Sequence, residues 1–192
     1  MSEDRKYIIK VCLLGEANVG KTSLLYRYIE NKFRDNYKAT LGVNLLKKEA
    51  NIEGYGLITI QIWDLGGQES FKSLRKLYLE GANGALVIFD MTKIKTFEKL
   101  SDWVGDFIEA RGNQPLLLVG NKTDLKDNIK VSENEANDFA SKNGMDFIMT
   151  SAKTGENVEV AFLNLIKLNQ QSSSYQTDFS LQGGPYQSFN IL

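Results

Sequence analysis

The chain has 192 residues, 42% hydrophobic and 24% charged, with 23 basic against 24 acidic side chains. The length suits one domain able to bury its own core, and the balanced charge argues against a nucleic-acid partner or a basic membrane-binding surface. One cysteine and no histidine leave no basis for an intrachain disulfide or a zinc centre, and no apolar run is long enough to span a bilayer.

Met1-Ser2-Glu3-Asp4-Arg5-Lys6 leads into no signal-peptide core, and Ser2 does not suit N-myristoylation, so a cytoplasmic protein is expected. Residues 7–14 read as a buried strand, with Cys12 as a core thiol in a reducing compartment. A helix follows from Gly20 to Glu30, with Leu24, Leu25, Tyr28 and Ile29 as its apolar stripe. Residues 43–52 and 57–63 are expected as two strands around the turn Gly54-Tyr55-Gly56, with Ile58, Ile60 and Ile62 alternating onto one face. Apolar runs at 85–89, 116–119 and 146–149 bring the strands to six, with helical stretches between and after them. Ser132 and Glu135 form a capping box that starts one helix, and the last helix is expected from about Asn157 to Leu168. Residues 169–192 turn polar, opening with Gln170-Gln171-Ser172-Ser173-Ser174, and read as a flexible tail whose spaced aromatic and aliphatic residues could dock on this domain or on a partner. Alternating strands and helices predict an α/β fold: a six-stranded, mostly parallel sheet with helices on both faces and ligands at the carboxyl ends of the strands.

The sequence Gly15-Glu16-Ala17-Asn18-Val19-Gly20-Lys21-Thr22, followed by Ser23, matches G-x-x-x-x-G-K-[ST] between a strand and a helix. Glycines let the backbone curl so that several N–H groups face one concavity, and the helix N-terminus adds positive potential for phosphate. Lys21 supplies a point charge for the outer phosphates, and the Thr22 hydroxyl a hard oxygen for Mg²⁺. Alone, this motif means a nucleoside triphosphatase or a kinase. Asp64 ends the third strand and can hold Mg²⁺; Gly67 can bring a backbone N–H to the terminal phosphate; Gln68, neutral and both donor and acceptor, can orient a water.

Asn121-Lys122-Thr123-Asp124 follows the fifth strand. A carboxylate at Asp124 can accept from guanine N1–H and the 2-amino group together, a donor pair that adenine lacks. Lys122 can lay its stem along the purine. Ser151-Ala152-Lys153 follows the sixth strand, where a backbone N–H can reach guanine O6 and Lys153 can cover the base.

Jointly these stretches resemble the Ras superfamily of small GTPases over roughly residues 6–168. The resemblance implies the three-layer P-loop NTPase fold, GTP and GDP as ligands with Mg²⁺, slow hydrolysis to GDP and phosphate, and a nucleotide-dependent switch. It makes Lys21, Thr40 and Gln68 the catalytic set, and Thr22, Thr40 and Asp64 the metal set. By the same resemblance residues 33–43 form the first switch, with Phe33 against guanine, Tyr37 over the phosphates and Thr40 on the metal in the GTP state. Residues from Asp64 to about Tyr78 form the second.

Within the superfamily the chain is most similar to the Rab branch, through Thr40-Leu41-Gly42-Val43, Trp63 and Gly81-Ala82. Leu45, Trp63 and Tyr78 match the positions of the Rab effector-facing triad, although Rabs usually carry Phe where Leu45 stands. Leu65-Gly66-Gly67 resembles the Arf branch or the septation-type GTPases instead. The implied partners are effectors at the two switches, an exchange factor and a GTPase-activating protein. Rab and Ras proteins usually end in prenylated cysteines and this sequence has none there, so the expectation is no direct lipid anchor and membrane association only through partners. Two other classes stay open at this point: a nucleotide-binding scaffold without useful turnover, and an ATPase or small-molecule kinase on the same phosphate loop.

Overall fold

The computed structural model describes residues 7–33, 40, 42–52, 56–68 and 72–181. Six strands form one sheet: β1 (Tyr7–Leu14), β2 (Val43–Ile52), β3 (Gly56–Leu65), β4 (Gly84–Asp90), β5 (Leu116–Asn121) and β6 (Asp146–Met149). Their order is β2-β3-β1-β4-β5-β6. Only β2 runs antiparallel, pairing with β3 from Val43 opposite Leu65 to Ile52 opposite Gly56. The expected turn residues Gly54 and Tyr55 lie outside the described residues.

Helices cover both faces, as they must where parallel strands are apolar on both sides. On one face lie α1 (Lys21–Glu30) and α6 (Val158–Leu181). Leu24, Leu25, Phe162, Leu165 and Ile166 there meet Ile9, Val11, Leu13 and the buried isoleucines of β3. Tyr28 stacks on Phe162 with ring centroids 4.0 Å apart and planes 7° apart. On the other face lie α2 (Lys72–Leu79), α3 (Ile94–Glu98), α4 (Leu100–Arg111) and α5 (Glu133–Lys142). Leu79, Trp103, Phe107, Ala136 and Ala140 pack there on Cys12, Leu14, Val87, Phe89 and Leu118. Alternation along β1 therefore feeds both cores, and Cys12 is fully buried in the second. The expected capping box forms: the Ser132 hydroxyl accepts from Glu135 N, and the Glu135 carboxylate accepts from Ser132 N at 2.8 Å.

The last helix differs from expectation. It runs through residue 168 to Leu181, across the boundary where the composition turns polar. Asn169 and Gln170 are buried, and Asn169 Nδ2 donates to Asn83 O at 2.7 Å. Polar residues there pack on the domain, and glutamine is a good helix former, so polarity did not mark a helix end. Residues 182–192 lie outside the described residues. Among the described residues no helix is long and apolar enough to cross a membrane.

Candidate functional site

The phosphate loop follows β1 because two glycines allow it. Gly15 has φ 135° and lies so close to the Ile88 carbonyl that no side chain fits. Gly20 has φ 100°, and a Cβ there would collide with the Asn121 side-chain amide. The loop then enters α1 at Lys21.

Lys21 is 6% exposed, and its ammonium donates to the carbonyls of Gly15 at 2.7 Å and Glu16 at 2.9 Å. Burial pushes this amine down to about 8, against the opposing pull of Asp64 and Glu16, and the charge of Arg75 adds to the lowering. Thr22 Oγ1 lies 2.7 Å from Thr40 Oγ1 and donates to Asp64 Oδ2 at 2.5 Å, and Thr40 reaches the same oxygen at 3.3 Å. The three expected metal ligands thus converge. Asp64 is fully buried, and its Oδ1 has no hydrogen-bond partner among the described residues. Burial holds its carboxyl above the usual range, opposed by the Thr22 hydrogen bond, Lys21 and Thr40. An unpartnered buried carboxylate oxygen beside two hydroxyls is a donor set that fits Mg²⁺. Gly67 packs so tightly on the loop that a Cβ would clash with Ala17 N and Glu16.

Asn121 works as a strut. Its Nδ2 donates to Val19 O at 2.9 Å, while its Oδ1 accepts from Ala152 N at 3.1 Å and Thr150 Oγ1 at 3.3 Å. Lys122, at φ 71°, donates to Asn18 O at 2.8 Å and sits 2.7 Å from Asp90 Oδ2. Asp124 Oδ1 accepts from Ser151 Oγ at 2.7 Å. Arg27 on α1 braces the neighbouring loop, donating to Ala152 O at 2.9 Å and Lys153 O at 2.6 Å.

These segments enclose one cavity of about 410 Å³. The phosphate loop contributes Ala17, Asn18, Gly20, Lys21, Thr22 and Ser23 to its wall. Phe33, Thr40, Gly67 and Gln68 line it from the switch segments, and Asn121, Lys122, Asp124, Ala152 and Lys153 from the base side. Gly15, Val19, Asp64 and Ser151 stand behind the wall and shape it, all four buried. Tyr37 lies outside the described residues. Asp90, Arg27 and Leu125 also serve the site and are not among the residues expected from the sequence. Asp90 had a signal: like Asp64, it is a carboxylate ending a buried strand. Arg27 had none, since it acts across the fold. Leu125, next to Asp124, lines the base side.

Leu45, Trp63 and Tyr78 also come together. Leu45, 43% exposed, is the cross-strand partner of Trp63, whose ring lies 6.4 Å from that of Tyr78.

The Ras family model matches residues 10–171. The chain is 37% identical to the Ypt/Rab-type GTPase YPT7 of Saccharomyces cerevisiae over 185 residues, covering 93% of this chain and 89% of that one. It is 41% identical to the Ras-related protein RABG3f of Arabidopsis thaliana, covering 87% and 84% of the two chains. Identity to the Ras-related protein Rab-4A of Mus musculus is 42%, with coverage of 85% and 75%. The chain belongs to the Ras family of small GTPases, nucleotide-dependent switches of the Rab-like kind that bind and hydrolyse GTP.

Proposed function

We propose that GTP lies along this cavity with its guanine between Lys122, Lys153 and Phe33 and its phosphates on the loop from Gly15 to Ser23. The observation that carries this is the meeting of Asp124 and the Thr22–Thr40–Asp64 cluster with one cavity. Asp124 accepts from guanine N1–H and the 2-amino group; Ser151 holds the carboxylate in place. Lys21 turns from its loop carbonyls to the phosphates, and Gln68 orients the water that attacks the terminal phosphorus. Thr22, Thr40 and Asp64 would hold Mg²⁺, which when bound offsets negative charge on the phosphate oxygens.

Thr40 makes the site a switch. Its tie to Thr22 and Asp64 holds Thr40 at the cavity wall, and departure of the terminal phosphate removes a contact that keeps it there. Effectors read the closed form through the Leu45–Trp63–Tyr78 surface beside it. An exchange factor opens the site. No arginine is among the described residues that line the cavity, and a GTPase-activating partner raises the slow intrinsic rate by about 10³–10⁵. Residues 1–168 act as the nucleotide-binding unit, with α6 continuing past it.

The test is Asp124→Asn. It exchanges an acceptor for a donor against the base edge, so preference should move from guanine to xanthine nucleotides. Unchanged base selectivity would contradict the assignment.

A further inference from the structure

Arg75 on α2 is 4% exposed. Its Nη1 donates to Asp106 Oδ2 at 2.8 Å, and its guanidinium carbon lies 3.5 Å from the centre of the Trp103 ring. Both partners belong to α4. Its Nε and Nη2 are buried and have no hydrogen-bond partner among the described residues. Trp103, itself 1% exposed, sends its Nε1–H to Glu16 Oε1 at 3.0 Å. Glu16 is one of the two loop residues whose carbonyls receive Lys21, and the Lys21 ammonium lies 6.0 Å from the centre of the same indole ring. One indole therefore touches the second switch helix on one side and the phosphate loop on the other.

Lys76 and Glu109, both exposed and 3.0 Å apart, already join α2 to α4 without burying a charge. A buried guanidinium with two donors unpartnered among the described residues is a costlier contact than an apolar side chain of similar size. Such a contact favours a second arrangement in which the donors find partners, the property expected of a two-position element.

We propose that Arg75 is a positioning residue that couples the phosphate loop, through Glu16 and Trp103, to the pose of the second switch and of Gln68 seven residues before it. The inference rests on Gln68 as the water-orienting residue. When Lys21 leaves the Glu16 carbonyl for a phosphate, the loop end of the chain of contacts changes. The indole transmits that change to the guanidinium stacked on it, and α2 settles with Gln68 over the phosphates.

The experiment is single-turnover GTP hydrolysis by the full chain, paired with nucleotide release. Arg75→Met, which keeps an apolar contact with the indole, should lower hydrolysis about tenfold or more and leave GDP release within twofold. Trp103→Phe keeps a ring face for Arg75 and removes the bond to Glu16, and should lower hydrolysis likewise. Lys76→Ala should change neither rate. In a Trp63→Phe background Trp103 is the sole indole of the chain. Its emission should shift when GDP is exchanged for a non-hydrolysable GTP analogue, and the shift should vanish on adding Arg75→Met. This second readout needs only the folded Trp63→Phe protein if the Arg75 variant is poorly folded, and a nucleotide-insensitive emission there would overturn the inference. So would an equal loss in Lys76→Ala, which would mean generic docking. Full hydrolysis by Gln68→Ala would overturn both the Gln68 reading and this inference. Loss in Gln68→Ala with full hydrolysis in Arg75→Met would overturn this inference alone.

Discussion

The ammonium of Lys122 lies 2.7 Å from Oδ2 of the buried Asp90 and also holds the Asn18 carbonyl at 2.8 Å, so one side chain ties the base loop, the end of β4 and the phosphate loop together. Thr92 fixes the other Asp90 oxygen through its N–H at 2.9 Å and its hydroxyl at 2.7 Å. Burial alone would raise the Asp90 carboxyl; the hydrogen bonds from Lys122 and Thr92 outweigh it and hold the group below the usual range. Asp90→Asn removes the charge and keeps the shape. A charge-assisted hydrogen bond is worth about 1.5–3 kcal/mol, so GDP should leave roughly tenfold faster or more. Stopped-flow release of a fluorescent GDP analogue measures this.

Phe162 packs in the α1–α6 core with its ring stacked 4.0 Å from that of Tyr28. It is 1% exposed, and truncation leaves a cavity between α6 and the sheet. Phe162→Ala should cost about 3–5 kcal/mol, read as a lower urea midpoint at unchanged slope.

Much of this framework was legible in the sequence. Val43–Ile52 and Asp146–Met149 form strands over the residues expected, because period-two alternation and short apolar runs are local signals. The cavity wall was legible too, since each loop carries its chemistry in consecutive residues such as Asn121 to Asp124. What escaped was action at a distance. Arg27 braces a loop more than a hundred residues away, and Trp103 reaches Glu16 across 87 residues of sequence. No spacing rule links such pairs. The end of α6 escaped for a different reason: Asn169 and Gln170 are polar yet buried.

Cys12, on β1, faces the α2–α4 layer with no solvent exposure, and burial pushes its thiol up to about 12. The thiolate is the reactive form, so the native protein at pH 8 should resist alkylation. Ellman's reagent should find no thiol in the native protein and one equivalent in guanidinium chloride.

The α5 capping box gives a pH signature. The Ser132 side chain and backbone N–H hold the Glu135 carboxyl below its ordinary value. A carboxyl lowered on folding adds stability above its unfolded value of about 4.3, lost as pH falls through the lower folded value. Asp90 acts in the same direction around its unfolded value of about 3.9. Ser132→Ala should lower the urea midpoint at pH 7, and the difference from the parent protein should shrink below pH 4. Urea titrations at both pH values measure it.

Asp124 and the Thr22–Thr40–Asp64 cluster are the proposed basis of a Mg²⁺-assisted GTP switch. Single-turnover hydrolysis of GTP and ATP by the unmodified chain, with Mg²⁺ and with a chelator, tests it most directly. The expected result is slow cleavage of GTP to GDP and phosphate, arrested by the chelator, with ATP untouched. Cleavage of ATP at a matching rate, or GTP cleavage indifferent to the chelator, would contradict it.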